Sequence, residues 1–330
     1  MNARILTTAT LLTAFTGVIT AKAADSQLLS MVMPDAKVVA GVNVDSAKAS
    51  PFGLYVLTQM QSNDSDLKQL IALTGFDPTR DVHEVLAATA SSPGNSKTPS
   101  GLVLARGNFD IDTISSAATA KGATIENYNS VTTNTTVTII EDPKQQVGIA
   151  FVNSTLVAAG DIASVKAAID RPGTGQTLPS NVLNQVGQWS GNDDAWMVTT
   201  VPLSALAPQQ AATATAATGA PQMMAGLAQQ VQQMAGGVKF GNNVVATAAI
   251  QADNAADATQ LANTVQFLVN LIQMQSQKDP QLANVAQGFS VNAQGTTVNV
   301  KVTLPEAQFQ QLFQMEKKAA AGTPQNVIKK

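Results

Sequence analysis

The chain has 330 residues, no cysteine, a single histidine and a formal net charge of −3. The lack of cysteine excludes disulfide bonds and cysteine nucleophiles, and a lone histidine argues against a zinc site, which needs several His or Cys ligands. A mildly acidic chain also argues against nucleic-acid binding, which usually depends on a basic patch.

Residues 1–23 have the pattern of a cleaved signal peptide. Arg4 precedes an apolar stretch from Ile5 to about Thr20, and segment 21–23 (AKA) matches the small-x-small site of signal peptidase. The alternative is an uncleaved membrane anchor, but the stretch is short and rich in threonine for a span of about 20 apolar residues. We therefore expect a periplasmic or secreted protein with no transmembrane span after cleavage.

Residues 24–176 are predicted to form a first α+β half. Apolar clusters and alternation between turn residues predict strands at 37–44, 84–89, 102–106, 124–128, 137–140, 148–152 and 155–159. Helical spacing predicts helices at 51–61 and 65–73, and two more helices that begin after the N-cap residues Asp110 and Asp161. Pro, Gly and Ser predict a loop at 91–100.

Residues 177–316 are predicted to form a second half, followed by a flexible tail at 317–330. Strands are predicted at 195–201, 238–240, 244–251, 289–292 and 297–302. A helix is predicted from Pro221 to Met234, ended by Gly236 and Gly237, and the strongest helical pattern follows Asn254. Segment 209–219 is of low complexity.

The order of elements predicts an internal duplication, in which segment 154–169 corresponds to segment 296–313. The predicted fold is α+β with two related halves, each a mainly antiparallel sheet with helices packed on one face. The alternative is a single irregular α+β domain.

No catalytic, cofactor-binding or metal-binding residue is predicted. His83 lacks a recognisable partner and no G-x-S-x-G motif presents a serine, so a structural or surface role is favoured. Segment 171–177 (RPGTGQT) lacks the Gly-Lys-Ser/Thr ending of a phosphate loop and is interpreted as a helix-terminating turn.

Two acidic pairs are candidate calcium ligands, but neither has the spacing of a calcium-binding loop. Asp110 and Asp112 are better explained by helix capping, and Asp193 and Asp194 by a solvated turn before a strand.

Tryptophan and methionine offer two weaker hypotheses. Carbohydrate clefts favour aromatic platforms, but Trp189 and Trp196 flank one predicted strand, so core packing is expected. Segment 222–234 carries methionines, among them Met223 and Met234, along one side of its predicted helix, which favours a core face over a partner-binding surface.

The segments GFDPTRDVHEV (75–85) and ARGNFD (105–110) resemble those of exported bacterial proteins of uncharacterised function. The shared link is G-x-D-P-x-x-D-x-x-x-V, formed here by Gly75, Asp77, Pro78, Asp81 and Val85. The resemblance covers mainly the first half, and it implies an envelope location without an established activity.

The expected function is that of an exported, non-enzymatic protein with a binding or envelope-structural role. Its partner is an unidentified protein, small molecule or lipid, and the binding residues are not identified. The alternatives are a hydrolase with an unrecognised carboxylate site and a lipid- or membrane-associated protein that uses an apolar face.

Overall fold

A computed structural model of the protein describes residues 23–63, 65–90, 101–142, 144–202, 231–275 and 287–311. The predicted signal peptide up to residue 22, the loop 91–100, segment 209–219, the Met-rich residues 221–230 and the tail 317–330 lie outside the described residues. None of the helices in the described ranges is long and apolar enough to cross a membrane.

The described helices follow the chain order used below. They are α1 (Ser26–Ser30), α2 (Val44–Lys48), α3 (Pro51–Asn63), α4 (Ser65–Thr74), α5 (Pro78–Asp81), α6 (Ile111–Ala120), α7 (Ile162–Asp170), α8 (Ser180–Asn192) and α9 (Ala255–Gln275). A 3₁₀ turn, Arg171–Gly173, follows α7, and residues 306–311 are also helical.

The strands of the described residues form one twelve-stranded antiparallel sheet with the order β11-β12-β10-β9-β8-β1-β2-β3-β7-β6-β5-β4. The strands are β1 (Val38–Asn43), β2 (Val82–Thr89), β3 (Gly101–Gly107), β4 (Thr124–Ser130), β5 (Thr135–Asp142), β6 (Val147–Asn153), β7 (Leu156–Asp161), β8 (Ala195–Thr199), β9 (Val231–Lys239), β10 (Asn243–Ala252), β11 (Phe289–Gln294) and β12 (Thr297–Pro305). The predicted α+β class and its mainly antiparallel pairing are confirmed.

Helices cover both faces of this sheet, so the prediction that they pack on one face is wrong. Ile139 and Ile140 are consecutive on β5 and point to opposite faces. Ile139 belongs to the main core with α1, α7 and α8, whereas Ile140 packs in a second core against α6. Helix α9 covers the same face as α6, because Leu261 packs with Val298 there.

The N-terminal segment is part of the main core. Leu28, Met31 and Val32 are fully buried or nearly so. Arg106 Nη2 lies 2.9 Å from Asp25 Oδ2. Burial alone would raise the pKa of Asp25, but hydrogen bonds from two backbone N–H groups and from Arg106 outweigh it and lower that pKa. The segment 24–33 is therefore integral to the fold.

Next to the centre of the sheet is the antiparallel pair β1–β8, where Gly41 lies opposite Trp196. Trp196 is buried in the main core, and its indole ring occupies the space that a side chain at position 41 would fill. The core role predicted for Trp196 follows from this contact.

Some predicted elements are corrected. Val231 and Met234 lie on strand β9, so the helix predicted to end at Met234 is wrong there, and Gly236 and Gly237 are strand residues, not a helix stop. Val231 and Met234 pair with β10, and Gly236 and Gly237 pair with both β8 and β10. This long-range pairing overrides the local helical pattern. Helices α1 and α8 were not predicted.

Two glycine substitutions test the contact between Gly41 and Trp196. A Cβ atom at position 41 would lie 2.6 Å from two Trp196 ring carbons, so G41A should lower the free energy of unfolding by about 1–3 kcal/mol. Gly187 on α8 has open space at its Cβ position, so G187A should instead raise it by about 0.5–1 kcal/mol. Urea denaturation measures both changes, and a G41A protein as stable as the wild type would contradict the assignment.

Candidate functional site

His83, at the start of β2, is held by hydrogen bonds on both ring nitrogens. Nδ1 lies 3.0 Å from Asp45 Oδ1, and Nε2 lies 3.2 Å from the amide nitrogen of Asn108. Because the Asn108 amide nitrogen can only donate, Nε2 accepts and the Nδ1–H donates to Asp45. With both nitrogens engaged, the ring ties α2 and the β3–α6 link to β2 and leaves no nitrogen to activate a serine.

The G-x-D-P link forms a self-contained turn beside a polar cavity of about 470 Å³. Arg80 Nε donates to Asp81 Oδ1 at 2.7 Å, and its Nη2 donates to the carbonyl of Gly75 at 2.7 Å. The hydrogen bond and charge of Arg80 lower the pKa of Asp81. The polar groups of this turn satisfy one another, which makes the motif structural.

The acidic pairs have different environments. Asp110 caps α6, accepting from the backbone N–H of Thr113 at 3.1 Å and from its hydroxyl at 2.7 Å. Asp193 and Asp194 are buried, so the predicted solvated turn is wrong. They lie where α8 meets β8, beneath β9, a long-range arrangement that local turn signals cannot reveal. No group of three or more metal-ligating side chains occurs in the described ranges.

The carboxylates of Asp194 and Asp193 differ in their hydrogen bonds. Asp194 accepts hydrogen bonds from Lys239 Nζ at 2.8 Å and from the backbone N–H of Phe240 at 2.7 Å. The Asp193 carboxylate lies against Gly237 and accepts no hydrogen bond from a described residue. Burial raises the pKa of Asp193, the neighbouring Asp194 adds to that rise, and Lys239 opposes it.

Segment 171–177 works as an anchor. Arg171 is buried, and its guanidinium donates to the backbone carbonyl of Met31. Burial lowers the pKa of Arg171. Because the Arg171 guanidinium binds the N-terminal segment, it is not positioned to bind a phosphate.

Glu126 and Glu141 are neighbouring carboxylates that share Lys166 of α7. Lys166 Nζ lies 2.7 Å from Glu126 and 3.8 Å from Glu141. A hydrogen bond from Lys166 lowers the pKa of Glu126, and a hydrogen bond with Glu126 raises the pKa of Glu141. Tyr128 donates to Asp170 of α7 at 2.6 Å beside this cluster. These contacts fasten α7 to β4 and β5.

An apolar row crosses the whole sheet of described strands on the face shared by α6 and α9. The strand registers place one apolar residue or glycine from each strand in this row. We call it the apolar strip; from β4 to β11 it comprises Ile125, Ile140, Ile149, Ala159, Val103, Ala87, Ala40, Met197, Gly236, Ala248, Val300 and Val291.

The described helices cover only parts of the apolar strip. Helix α9 packs on Val300 and Val291, and α6 packs on Ile140. Between them, Val103 is 44% exposed, Ile149 is 42% exposed, and Ala87 is also exposed. A strand face of this composition is normally covered by a second layer. The open part of the strip is therefore the candidate functional site.

Sequence analysis could not find this site, because its residues come from separate strands. The predicted alternative, the Met-rich segment, is only partly described. Val231 is buried and Met234 packs beside the core under α9, so these two residues form no exposed patch.

Comparisons with known proteins add little. No protein-family model matches the chain, and no curated protein matches it. A solved structure titled "Structure of crystal form I of TP0453" has 11% sequence identity over 88% of this chain and 97% of that chain, with a TM-score of 0.48. A similarity at this level carries no argument about function.

The two buried aspartates should respond oppositely to amidation. The pKa of Asp193 is raised in the folded state, so the folded protein binds this proton more tightly than the unfolded chain does. The resulting contribution to the free energy of unfolding is fully present at low pH and is lost as pH rises through the folded-state pKa. D193N should therefore raise the free energy of unfolding at pH 7 by about 1 kcal/mol and change little below about pH 4.

The matched variant D194N replaces an acceptor of two hydrogen bonds with a group that can also donate. It should lower the free energy of unfolding at pH 7 by about 1–3 kcal/mol. Thermal and urea unfolding at the two pH values provide the measurement, and destabilisation of similar size by both variants would refute the different roles.

Proposed function

We propose that this chain is an exported, non-enzymatic binding protein of the bacterial envelope whose ligand lies on the open part of the apolar strip. The observation that carries this proposal is the exposure of Val103, Ile149 and Ala87, in the part of the apolar row that lies between the residues covered by α6 and by α9. Large exposed apolar patches mark interaction or ligand sites in proteins that are otherwise well packed.

The chemistry of the strip favours an apolar ligand such as a lipid acyl chain. Its members present only aliphatic groups, one thioether and glycine, so a polar ligand would lose hydration without gaining hydrogen bonds. The row spans eleven strand spacings, about 50 Å at the usual spacing between strands, and its open part is an elongated surface. A linear apolar molecule fits this shape.

A hydrolase with paired carboxylates is the second candidate. The raised pKa of Glu141 beside Glu126 is the observation that favours it. Lys166 lies against both carboxylates, however, and the contacts of this cluster already serve to hold α7. The binding role is therefore preferred.

An internal duplication with a boundary near residue 176 is part of the proposal. The order of strands supports it: β1-β2-β3 and β8-β9-β10 are meanders that meet at β1–β8. After each meander comes a helix, α6 or α9, and then a hairpin, β6–β7 or β11–β12, whose last strand lies beside the third strand of the meander. The first half has the additional strands β4 and β5.

The binding proposal predicts that a charge in the open strip reduces apolar binding. V103D places a carboxylate between Ala87 and Ala159 and should weaken binding of the uncharged fluorescent probe N-phenylnaphthylamine by about tenfold or more. V131D is the matched control, because Val131 is 91% exposed in a turn away from the strip and its replacement should leave probe binding unchanged.

Circular dichroism should show that both variants keep the wild-type secondary structure. Displacement of the probe by a fatty acid then identifies the ligand class. Equal probe binding by V103D and the wild type would contradict the assignment of the strip.

Export predicts a mature N-terminus at Ala24. Expressed with residues 1–23 in a bacterium, the chain should lie outside the cytoplasm and begin at Ala24 on N-terminal sequencing. A23F should block cleavage because the peptidase site requires a small residue, whereas K22A should be processed normally. Cytoplasmic protein that begins at Met1 or Asn2 would refute the proposed location.

A further inference from the structure

A second, uncharged crevice lies on the opposite face of the sheet from the apolar strip, between α8 and strands β9, β10 and β12. Its volume is about 250 Å³. Its polar and aromatic lining comes from Gln185, Gln188 and Trp189 of α8 and from Gln233, Gln251 and Thr297 of the sheet. Gln251 pairs across strands with both Gln233 and Thr297, so the three sheet residues form one neighbouring row.

The glutamine amides of this crevice differ in whether they form hydrogen bonds within the protein. Gln251 donates to the hydroxyl of Thr296 and accepts from the hydroxyl of Thr297 at 3.0 Å. By contrast, the side chains of Gln185, Gln188 and Gln233 have no hydrogen-bond partner among the described residues, and neither does the indole N–H of Trp189. Three amides and an indole N–H are thus available to a ligand.

Trp189 supplies an apolar surface beside these amides. It is half-buried and packs on the main core. That packing restricts the ring, so a ligand meets an aromatic group already ordered by the fold. Trp189 therefore differs from Trp196, which is buried in the core and lines none of this crevice.

The lining selects one class of ligand. A charged molecule would lose hydration without an ion pair, because no charged side chain of the described ranges lines the crevice. An acyl chain would bury the amides without satisfying them. Each glutamine amide both donates and accepts, as each sugar hydroxyl does, and an indole accommodates the apolar face of a sugar ring. We infer that this crevice binds a neutral carbohydrate residue.

Tryptophan fluorescence of the purified full chain tests the inference, with glucose, galactose, N-acetylglucosamine and their disaccharides as probes. At least one neutral sugar should give a saturable change in emission that is lost in W189F. The double variant Q185A/Q233A should weaken that binding by about tenfold, the loss expected for hydrogen bonds to a buried ligand. Q176A, in an exposed loop, is the matched control and should bind normally.

Several outcomes would overturn the inference. These are no saturable change with any neutral sugar, unchanged affinity in a natively folded Q185A/Q233A protein, or tighter binding of glucuronate than of glucose. Binding of N-phenylnaphthylamine is measured in parallel. Because the crevice and the apolar strip lie on opposite faces, loss of sugar binding with normal probe binding, or the reverse, separates failure of this inference from failure of the proposed function.

Discussion

The antiparallel pairing of β1 with β8 joins the two strand meanders into one sheet, and it depends on a close contact between Gly41 and Trp196. The absence of a side chain at position 41 lets the indole lie on the strand, where it enters the core shared with α1, α7 and α8. In a chain without disulfide bonds, such apolar packing has to supply most of the stability. The N-terminal segment contributes to the same core, and the Arg171 contact with the Met31 carbonyl holds it there.

The two faces of the sheet have different chemistry, and each carries one of the proposed binding sites. On one face, the apolar strip runs across all the described strands, while α6 and α9 cover only parts of it. On the other face, glutamine side chains of α8, β9 and β10 line a crevice together with Trp189. The titratable groups, by comparison, are mostly engaged in holding elements together: His83 joins α2 to β2, Lys166 joins α7 to β4, and Asp194 joins β8 to β9. This distribution supports the proposed binding role.

The elements that the sequence predicts correctly are those whose signals are local in the chain. Helix caps such as Asp110 and Asp161 were found because the cap and the N–H group that it accepts from are three residues apart. Helix α8 was missed, although Val182 and Val186 have helical spacing, because Ser, Asn, Gly and Gln dominate its sequence. Missing α8 hid the crevice, since Gln185 and Trp189 share one side of the crevice only in a helix. Asp193 and Asp194 were misjudged because the strand that buries them follows much later in the chain.

By itself, the sequence determined the α+β class, most strand positions, the helix caps and the exclusion of thiol chemistry, because these depend on composition or on neighbours within a few residues. Only the tertiary structure decided which strands are adjacent, which helices cover which face, and which acids are buried. The apolar strip shows the physical reason most clearly. Each of its residues is an ordinary strand position, and the continuous row exists only once twelve strands are in register. Such alignment is a property of long-range pairing, which no local pattern encodes.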